Sequence, residues 1–182
     1  MPYWAKNSVW GESLSLLDRL AGGKRGSLGE AGQVALEALD HHGYVKEMVA
    51  GLILPDPVLT ARCAHVIMFV AQKKPQLVQP YKSSLLDAMS RCDQWEIRLE
   101  LSKAITQLQL TADEIADLVG VFKAYLDAPQ SFVRTGALQG LADLARKDAD
   151  LVPMTQNLLA HYVNSGTAAM RARARKLLKT FD

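Results

Sequence analysis

The sequence predicts an all-α fold, a right-handed α-α superhelix or short solenoid of about five helix pairs. Three observations lead to this prediction. An arginine recurs every 36 or 37 residues, apolar residues follow it at helical spacing, and most prolines fall between the helical stretches or in their first turns. No segment alternates apolar and polar residues with the period of two that a half-buried strand shows, so we expect no β-sheet.

Four arginines each mark the start of a similar helical stretch. They are Arg62, Arg98, Arg134 and Arg171, at spacings of 36, 36 and 37 residues. A small or apolar residue precedes each arginine, and an apolar residue stands seven positions after it. Seven residues are close to two helical turns, so each stretch is predicted to bury one stripe. We expect these arginines to be structural and to tie each inter-helix turn to the next repeat.

Another helix is predicted before each of these stretches, which divides most of the chain into regular repeats. We assign the repeats to residues 43–75, 76–110, 111–148 and 149–182. Residues 11–42 are predicted to form one more, degenerate pair. The whole chain, residues 1–182, is predicted to be a single domain, as its length allows. Tyr3, Trp4 and Trp10 precede the degenerate pair and are expected to pack over the terminal repeat.

Local signals predict several helix ends. Thr111 followed by Glu114 has the form of a capping box. Pro129 is expected in the first turn of its helix, where a missing N–H costs nothing. His41 and His42, followed by a glycine, are expected at the C-terminal end of a helix, where an imidazolium favours the helix dipole.

Residues around the first arginine resemble the HEAT-repeat family. In that family a turn with proline and aspartate precedes a second helix that opens with an apolar residue and an arginine. Pro55-Asp56-Pro57 with Ala61-Arg62 is the closest copy here, and weaker copies stand at Ile97-Arg98, Val133-Arg134 and Met170-Arg171.

The resemblance covers residues 43–182 with good regularity and residues 11–42 only loosely. The family's turn aspartate is present as Asp56, and the three equivalent positions hold other residues. The resemblance implies a superhelix whose second helices line a concave face. It implies no single function, because HEAT-like solenoids serve as scaffolds, adaptors, transport receptors and occasionally enzymes.

Composition and charge exclude several classes of protein. Lysine plus arginine number 21 against 19 acidic residues, and the net charge of +2 argues against a nucleic-acid binder held by long-range electrostatics. The two cysteines, Cys63 and Cys92, cannot form a disulfide scaffold or a four-cysteine zinc site. No secretory signal is visible, and the longest apolar run, residues 66–71, is far short of the ~20 residues that span a bilayer. We therefore expect a cytoplasmic protein without a membrane segment.

No sequence motif for catalysis or for a cofactor is present. The chain contains no Gly-x-Ser-x-Gly, no phosphate-binding glycine loop and no His-Glu-x-x-His. It also contains no His-Glu pair of the kind found in iron-binding HEAT-like hydroxylases. His65 falls at a position that holds Leu101, Ala137 and Ala174 in the other repeats, which is typical of a core histidine. We expect no enzymatic activity, no metal and no cofactor.

The helix stripe opposite the buried one predicts a partner-binding surface on the concave face. Its members include Ile67, Leu99, Lys103, Gln139 and Lys176. An apolar strip rimmed by lysine and glutamine suits an amphipathic helix or an extended peptide. The predicted function is a non-enzymatic scaffold or interaction module, a monomer or weak dimer that binds another protein or peptide. The alternative is that Ile67 is buried by neighbouring helices or by an N-terminal segment.

A second predicted function is a nucleic-acid-binding module that resembles the HEAT-like alkylpurine DNA glycosylases. Those enzymes use a basic concave channel with aromatic residues and a carboxylate, and Trp95 and Glu96 are the candidates here. Residues 165–182 carry five cations against one acid, Asp182, which gives a net charge of +4. This final helix either binds an anion or is the polar cap that a last repeat needs.

Overall fold

A computed structural model of the chain describes residues 15–181, and every regular element in that range is helical. No strand occurs in this range, which confirms the predicted all-α class there, and no helix in it is long and apolar enough to cross a membrane. Short 3-10 turns at Gln79–Tyr81 and Ala149–Leu151 lead into the sixth and tenth helices. The α-helices are α1 (Leu16–Leu20), α2 (Ala31–Ala38), α3 (His42–Gly51), α4 (Pro57–Lys73), α5 (Pro75–Val78), α6 (Lys82–Arg91), α7 (Trp95–Ile105), α8 (Ala112–Tyr125), α9 (Ser131–Ala145), α10 (Val152–Asn164) and α11 (Ala168–Leu178).

The helices pack as consecutive pairs. Helix α3 packs against α4, α6 against α7, α8 against α9 and α10 against α11. The second helices of the pairs also form a row, in which α4 packs on α7, α7 on α9 and α9 on α11. Fully buried side chains between them include Met48, Met89, Ile105, Phe122 and Leu138. This row places one face of α7, α9 and α11 side by side, and the candidate site lies there.

The N-terminal pair is short. Helix α1 has 5 residues and α2 has 8, and both pack on α4. Arg62 of α4 is buried and holds the loop between them, because it donates to the carbonyl oxygens of Leu20 at 2.7 Å, Gly22 at 2.8 Å and Ser27 at 3.0 Å. The predicted packing of the three N-terminal aromatics, Tyr3, Trp4 and Trp10, concerns residues outside the described range.

The other three repeat arginines do not repeat the contacts of Arg62. Arg98 donates to the carbonyl oxygen of Cys92 at 2.8 Å, and Arg171 donates to that of Gly166 at 2.7 Å, so each holds the turn before its own helix. The Nε of Arg134 is buried without a hydrogen-bond partner among the described residues. Arg98 also lies over the Tyr125 ring of the next repeat, with its Cζ 5.1 Å from the ring centroid, as the predicted tie requires. The hydrogen bond of Arg171 stays within the last repeat and those of Arg62 reach the preceding pair, so the tie is not general.

The local signals have mixed outcomes. The capping box at Thr111 is confirmed: its hydroxyl accepts from the Glu114 N–H at 3.3 Å, and the Glu114 carboxylate accepts from the Thr111 N–H at 2.7 Å. The position predicted for Pro129 is wrong, because the N-cap residue of α9 is Gln130 and the proline precedes it. The position predicted for His41 is also wrong, since α2 ends at Ala38 and His41 is the N-cap residue of α3.

Candidate functional site

A groove of about 650 Å³ crosses the row of second helices, and we refer to it as the central groove. Helices α7 and α9 form its walls, and the end of α4 and the start of α11 close its sides. Its lining combines small and apolar residues with amides, hydroxyls and three charged side chains. The lining residues are Gln72, Leu99, Ser102, Lys103, Thr106, Gln107, Ser131, Phe132, Thr135, Gly136, Gln139, Gly140, Asp143, Ala169 and Arg173.

The apolar part of the central groove is formed by Leu99 and Phe132. The Phe132 side chain belongs to a residue that is 44% exposed, which is unusual for a large aromatic group. Its ring packs against Trp95, with ring centroids 4.5 Å apart and planes tilted by 59°. Gly136 leaves room beside Leu99, because a Cβ at this glycine would lie 3.3 Å from the Leu99 Cδ1. The groove therefore presents an exposed aromatic ring that a second aromatic ring supports.

A chain of hydrogen bonds runs along the polar side of the central groove. Arg173 donates from Nη1 to Gln139 Oε1 at 2.8 Å, and Gln139 donates from Nε2 to Asp143 Oδ1 at 2.8 Å. Asp143 also forms an ion pair with Arg146. Burial raises the pKa of the Asp143 carboxyl above its ordinary value, and the Gln139 hydrogen bond and the Arg146 charge oppose only part of that rise. The chain fixes both the Gln139 amide and the Arg173 guanidinium.

Lys103 lies on the α7 wall and already has an acidic partner. Its Nζ is 3.1 Å from Glu100 Oε2, and His65 Nδ1 is 3.9 Å from Glu100 Oε1. Burial alone would raise the pKa of Glu100, but the neighbouring His65 and the charge of Lys103 lower it below its ordinary value. Glu100 is therefore an anion at neutral pH, and it offsets the charge that Lys103 brings to the groove.

The structure brings together three of the five predicted partner-binding residues. Leu99, Lys103 and Gln139 all line the central groove. Ile67 does not, because it is fully buried, so its predicted exposure is wrong. The reason is that α4 packs against α1, α2, α3 and α7 and keeps no free apolar stripe. Lys176 is exposed but lies in a different surface groove, with residues of α10 and α11.

Sequence reasoning missed two side chains that define the central groove, Phe132 and Arg173. Phe132 occupies the position two residues before a repeat arginine, where the earlier repeats carry the polar Thr60 and Glu96. This exchange of a polar residue for an aromatic one was the available signal. The role of Arg173 depends on its hydrogen bond to Gln139, 34 residues earlier, which no local pattern indicates.

The two residues predicted for a glycosylase-like site have other partners. Trp95 packs on Phe132, and Glu96 is buried in an ion pair with Arg25, whose Nε lies 2.7 Å from Glu96 Oε1. Burial alone would raise the pKa of Glu96, but the hydrogen bond from Arg25 lowers it below its ordinary value. The carboxylate is thus an anion whose charge is already compensated.

A second groove, of about 500 Å³, lies between α10 and α11, and we refer to it as the basic groove. Arg175, Lys176 and Lys179 surround an apolar floor that includes Val163 and Leu178. The sequence of residues 152–181 contains five cations and no acidic residue. None of the three cations that line this groove forms an ion pair with another described residue.

The described residues offer neither a reactive thiol at Cys63 nor a metal-binding cluster. Cys63 is fully buried, and burial raises the pKa of its thiol to about 12, so the thiol is protonated at neutral pH. No group of three or more His, Cys, Asp or Glu side chains that could hold a metal ion occurs within residues 15–181.

Comparisons with known proteins assign no family to the chain. No protein-family model, curated protein or solved structure matches it. A functional proposal therefore depends on the geometry of the central groove and of the basic groove.

Proposed function

We propose that the protein is a non-enzymatic interaction module that binds a peptide or helix of a partner protein in the central groove. The observation that carries this proposal is Phe132, an exposed aromatic side chain that Trp95 holds at the edge of a groove of about 650 Å³. Ligand-binding grooves are concave and are lined largely by apolar and aromatic side chains, as this one is around Phe132.

The lining supports a peptide better than a small rigid ligand. Leu99 and Phe132 can accept apolar side chains, and the ring of Phe132 costs little entropy to immobilise because Trp95 already supports it. The exposed amides of Gln72 and Gln107 can bond a peptide backbone. The hydroxyls of Ser102, Thr106 and Thr135 already donate to carbonyl oxygens of their own helices and can accept a further hydrogen bond. This combination of apolar anchors and scattered polar groups is typical of grooves that take a helix or an extended segment.

We further infer that the helix pairs form a HEAT-like right-handed superhelix with the central groove on its concave face. The succession of α4, α7, α9 and α11, each packed on the next, supports this arrangement, as do the four evenly spaced arginines. Residual dipolar couplings measured along these four helices test it. A rotation of constant sign from each helix to the next is expected, and a reversal of sign would contradict the superhelix.

The experiment for the binding function is a selection of random displayed peptides against the full chain. Phe132→Ser should abolish capture of the selected peptides, because it removes the aromatic anchor and adds no charge to the groove. Phe132 suits this test better than Leu99, since it is more exposed and its replacement disturbs the core less.

The matched control is Ile53→Ser, which makes a comparable change at a residue that is 86% exposed and outside the central groove. Ile53→Ser should capture the same peptides as the wild type, and both variants should keep the wild-type melting curve. Equal capture by Phe132→Ser and the wild type would refute the proposed function.

A second candidate function, nucleic-acid binding, is favoured by the basic groove alone. Its three cations and the absence of acidic residues in 152–181 support attraction to phosphates. The near-neutral net charge of +2 and the engagement of Trp95 and Glu96 by other side chains make it the weaker candidate.

A further inference from the structure

We propose that the central groove selects peptides that carry an aspartate or glutamate side chain, and that Arg173 binds this carboxylate. The inference rests on the proposed function, because it names the chemistry of the peptide that the same groove would hold. Three properties of Arg173 support this inference: it has unused hydrogen-bond donors, it lacks an acidic partner, and it is held in the same groove as the apolar residues Leu99 and Phe132.

Most of the hydrogen-bonding capacity of Arg173 is unused. A guanidinium has five N–H donors. Arg173 gives one to Gln139 and has no other protein partner within residues 15–181. The guanidinium of Arg173 therefore offers free N–H donors inside the groove to a hydrogen-bond acceptor of a ligand.

The charge of Arg173 is also uncompensated. Of the other charged residues that line the central groove, Lys103 is paired with Glu100 and Asp143 is paired with Arg146. Gln139 lies between Arg173 and Asp143, and these two residues form no ion pair within 4.0 Å. The described lining therefore offers one positive charge that no protein carboxylate neutralises, and a partner's carboxylate supplies the complement.

The guanidinium is held in place before any ligand arrives. Gln139 accepts from Arg173 because its amide N–H donates to Asp143, and Asp143 is held in turn by Arg146. An arginine normally loses considerable side-chain freedom on binding, and a prior hydrogen bond reduces that cost. The planar guanidinium can then donate hydrogen bonds to both oxygens of one carboxylate, whereas a lysine ammonium cannot form this bidentate pair. Gln139 is a positioning residue in this arrangement.

The location of Arg173 sets the pattern of the peptide. Arg173 and Ala169 line the groove from α11, while Leu99 and Phe132 line it from α7 and α9. A bound segment therefore needs an apolar side chain for Phe132 and an acidic side chain on the α11 side.

The test uses peptides selected from the random displayed library whose capture depends on Phe132. Each acidic residue of such a peptide is changed to its amide, and binding is measured on the wild type, Arg173→Gln, Arg173→Lys and Arg91→Gln. Arg91→Gln is the matched control, because it makes the same substitution at an exposed arginine outside both grooves. Melting curves show that each variant is folded.

One acid-to-amide change should weaken binding to the wild type and to Arg91→Gln by about ten- to hundredfold, as expected for a bidentate charged hydrogen bond. The same change should alter binding to Arg173→Gln by less than about twofold, since the partner group is already gone. Arg173→Lys should show an intermediate effect, because it keeps the charge and loses the fork.

Two results overturn the proposal in distinguishable ways. If Phe132-dependent peptides contain no acidic residue, or if the amide change costs the same on Arg173→Gln as on the wild type, the carboxylate site is refuted and the binding groove stands. If no captured peptide depends on Phe132, the proposed function itself fails, and the carboxylate site fails with it.

Discussion

At the scale of single residues, Arg62 shows how one buried side chain can hold a whole loop. It donates to the carbonyl oxygens of Leu20 at the end of α1 and of Gly22 and Ser27 in the loop before α2, whereas Arg134 leaves its buried Nε without a partner in the described chain. Arg62→Ala should lower the free energy of unfolding by about 2 kcal/mol, because the buried Leu20 carbonyl loses its donor and the loop loses the side chain that holds it. Arg134→Ala should lower the free energy of unfolding by less than Arg62→Ala does. Urea denaturation of both variants measures the difference, and an equal cost would contradict this assignment.

A second residue-scale prediction concerns Glu37. The hydrogen bond from Arg19, with a further one from Gln33, lowers the pKa of Glu37 from 4.5 to about 2. A carboxyl whose pKa is lower in the folded state stabilises the fold above its unfolded pKa, and this contribution is lost as the pH falls toward the folded pKa. Glu37→Gln should therefore be less stable than the wild type at neutral pH, and the gap should narrow between about pH 4.5 and pH 2. A gap that does not depend on pH, measured by urea denaturation, would exclude this ion pair as its source.

Residue identities predicted part of the candidate site and missed the rest for physical reasons. Helical register placed Leu99, Lys103 and Gln139 on one surface, because that needs only the geometry of single helices. Helical register does not show how many other helices surround a given helix. Ile67 is buried because α4 packs against four other helices, and its burial was not predicted for that reason. The free guanidinium of Arg173 depends on which side chains pair across helices, and spacing along the chain does not determine that.

At the scale of helices, the contact between α8 and α9 depends on a glycine. A Cβ at Gly140 would lie 2.5 Å from the Phe122 Cζ, whereas a Cβ at Gly120 of α8 would meet no atom within 4 Å. Alanine raises helix propensity by up to about 1 kcal/mol at both positions, so the comparison isolates the clash. Gly140→Ala should be less stable than Gly120→Ala by about 1–3 kcal/mol, the usual cost of overpacking. Thermal unfolding of the two variants measures the difference in their stability. Equal stability of Gly140→Ala and Gly120→Ala would show that the Phe122 ring moves aside at no cost.

Second helices were easier to predict than first helices. Each second helix begins close to a repeat arginine and continues as one apolar stripe, so α4, α7, α9 and α11 appear where the period places them. The first helices have no such marker. The sequence predicts one helix over residues 78–91 with Pro80 in its first turn, but Pro80 lies in a 3-10 turn that separates α5 from α6. The glycine after His42 indicated a helix end and instead lies in the first turn of α3.

At the scale of the whole molecule, charge is distributed unevenly. Residues 152–181 carry five cations without an acid on a chain of net charge +2. We expect weak DNA binding through the basic groove, with a loss of about 40-fold in affinity between ~50 and ~200 mM salt if three phosphates are contacted. Replacing Arg175, Lys176 and Lys179 together by glutamine should remove it. Sub-micromolar binding that persists at physiological salt, measured with labelled DNA, would favour the nucleic-acid function instead.

The claim that the central groove is the binding surface of the whole molecule has a direct test in amide chemical-shift mapping. The full chain, labelled with nitrogen-15, is titrated with a peptide captured in the selection, and the shifted amides are placed on the structure. The shifts should concentrate on α7, α9 and the start of α11, around Leu99, Phe132, Gln139 and Arg173. Shifts concentrated on the basic groove, or on the outer helices α6 and α8 with those four residues unchanged, would contradict the account.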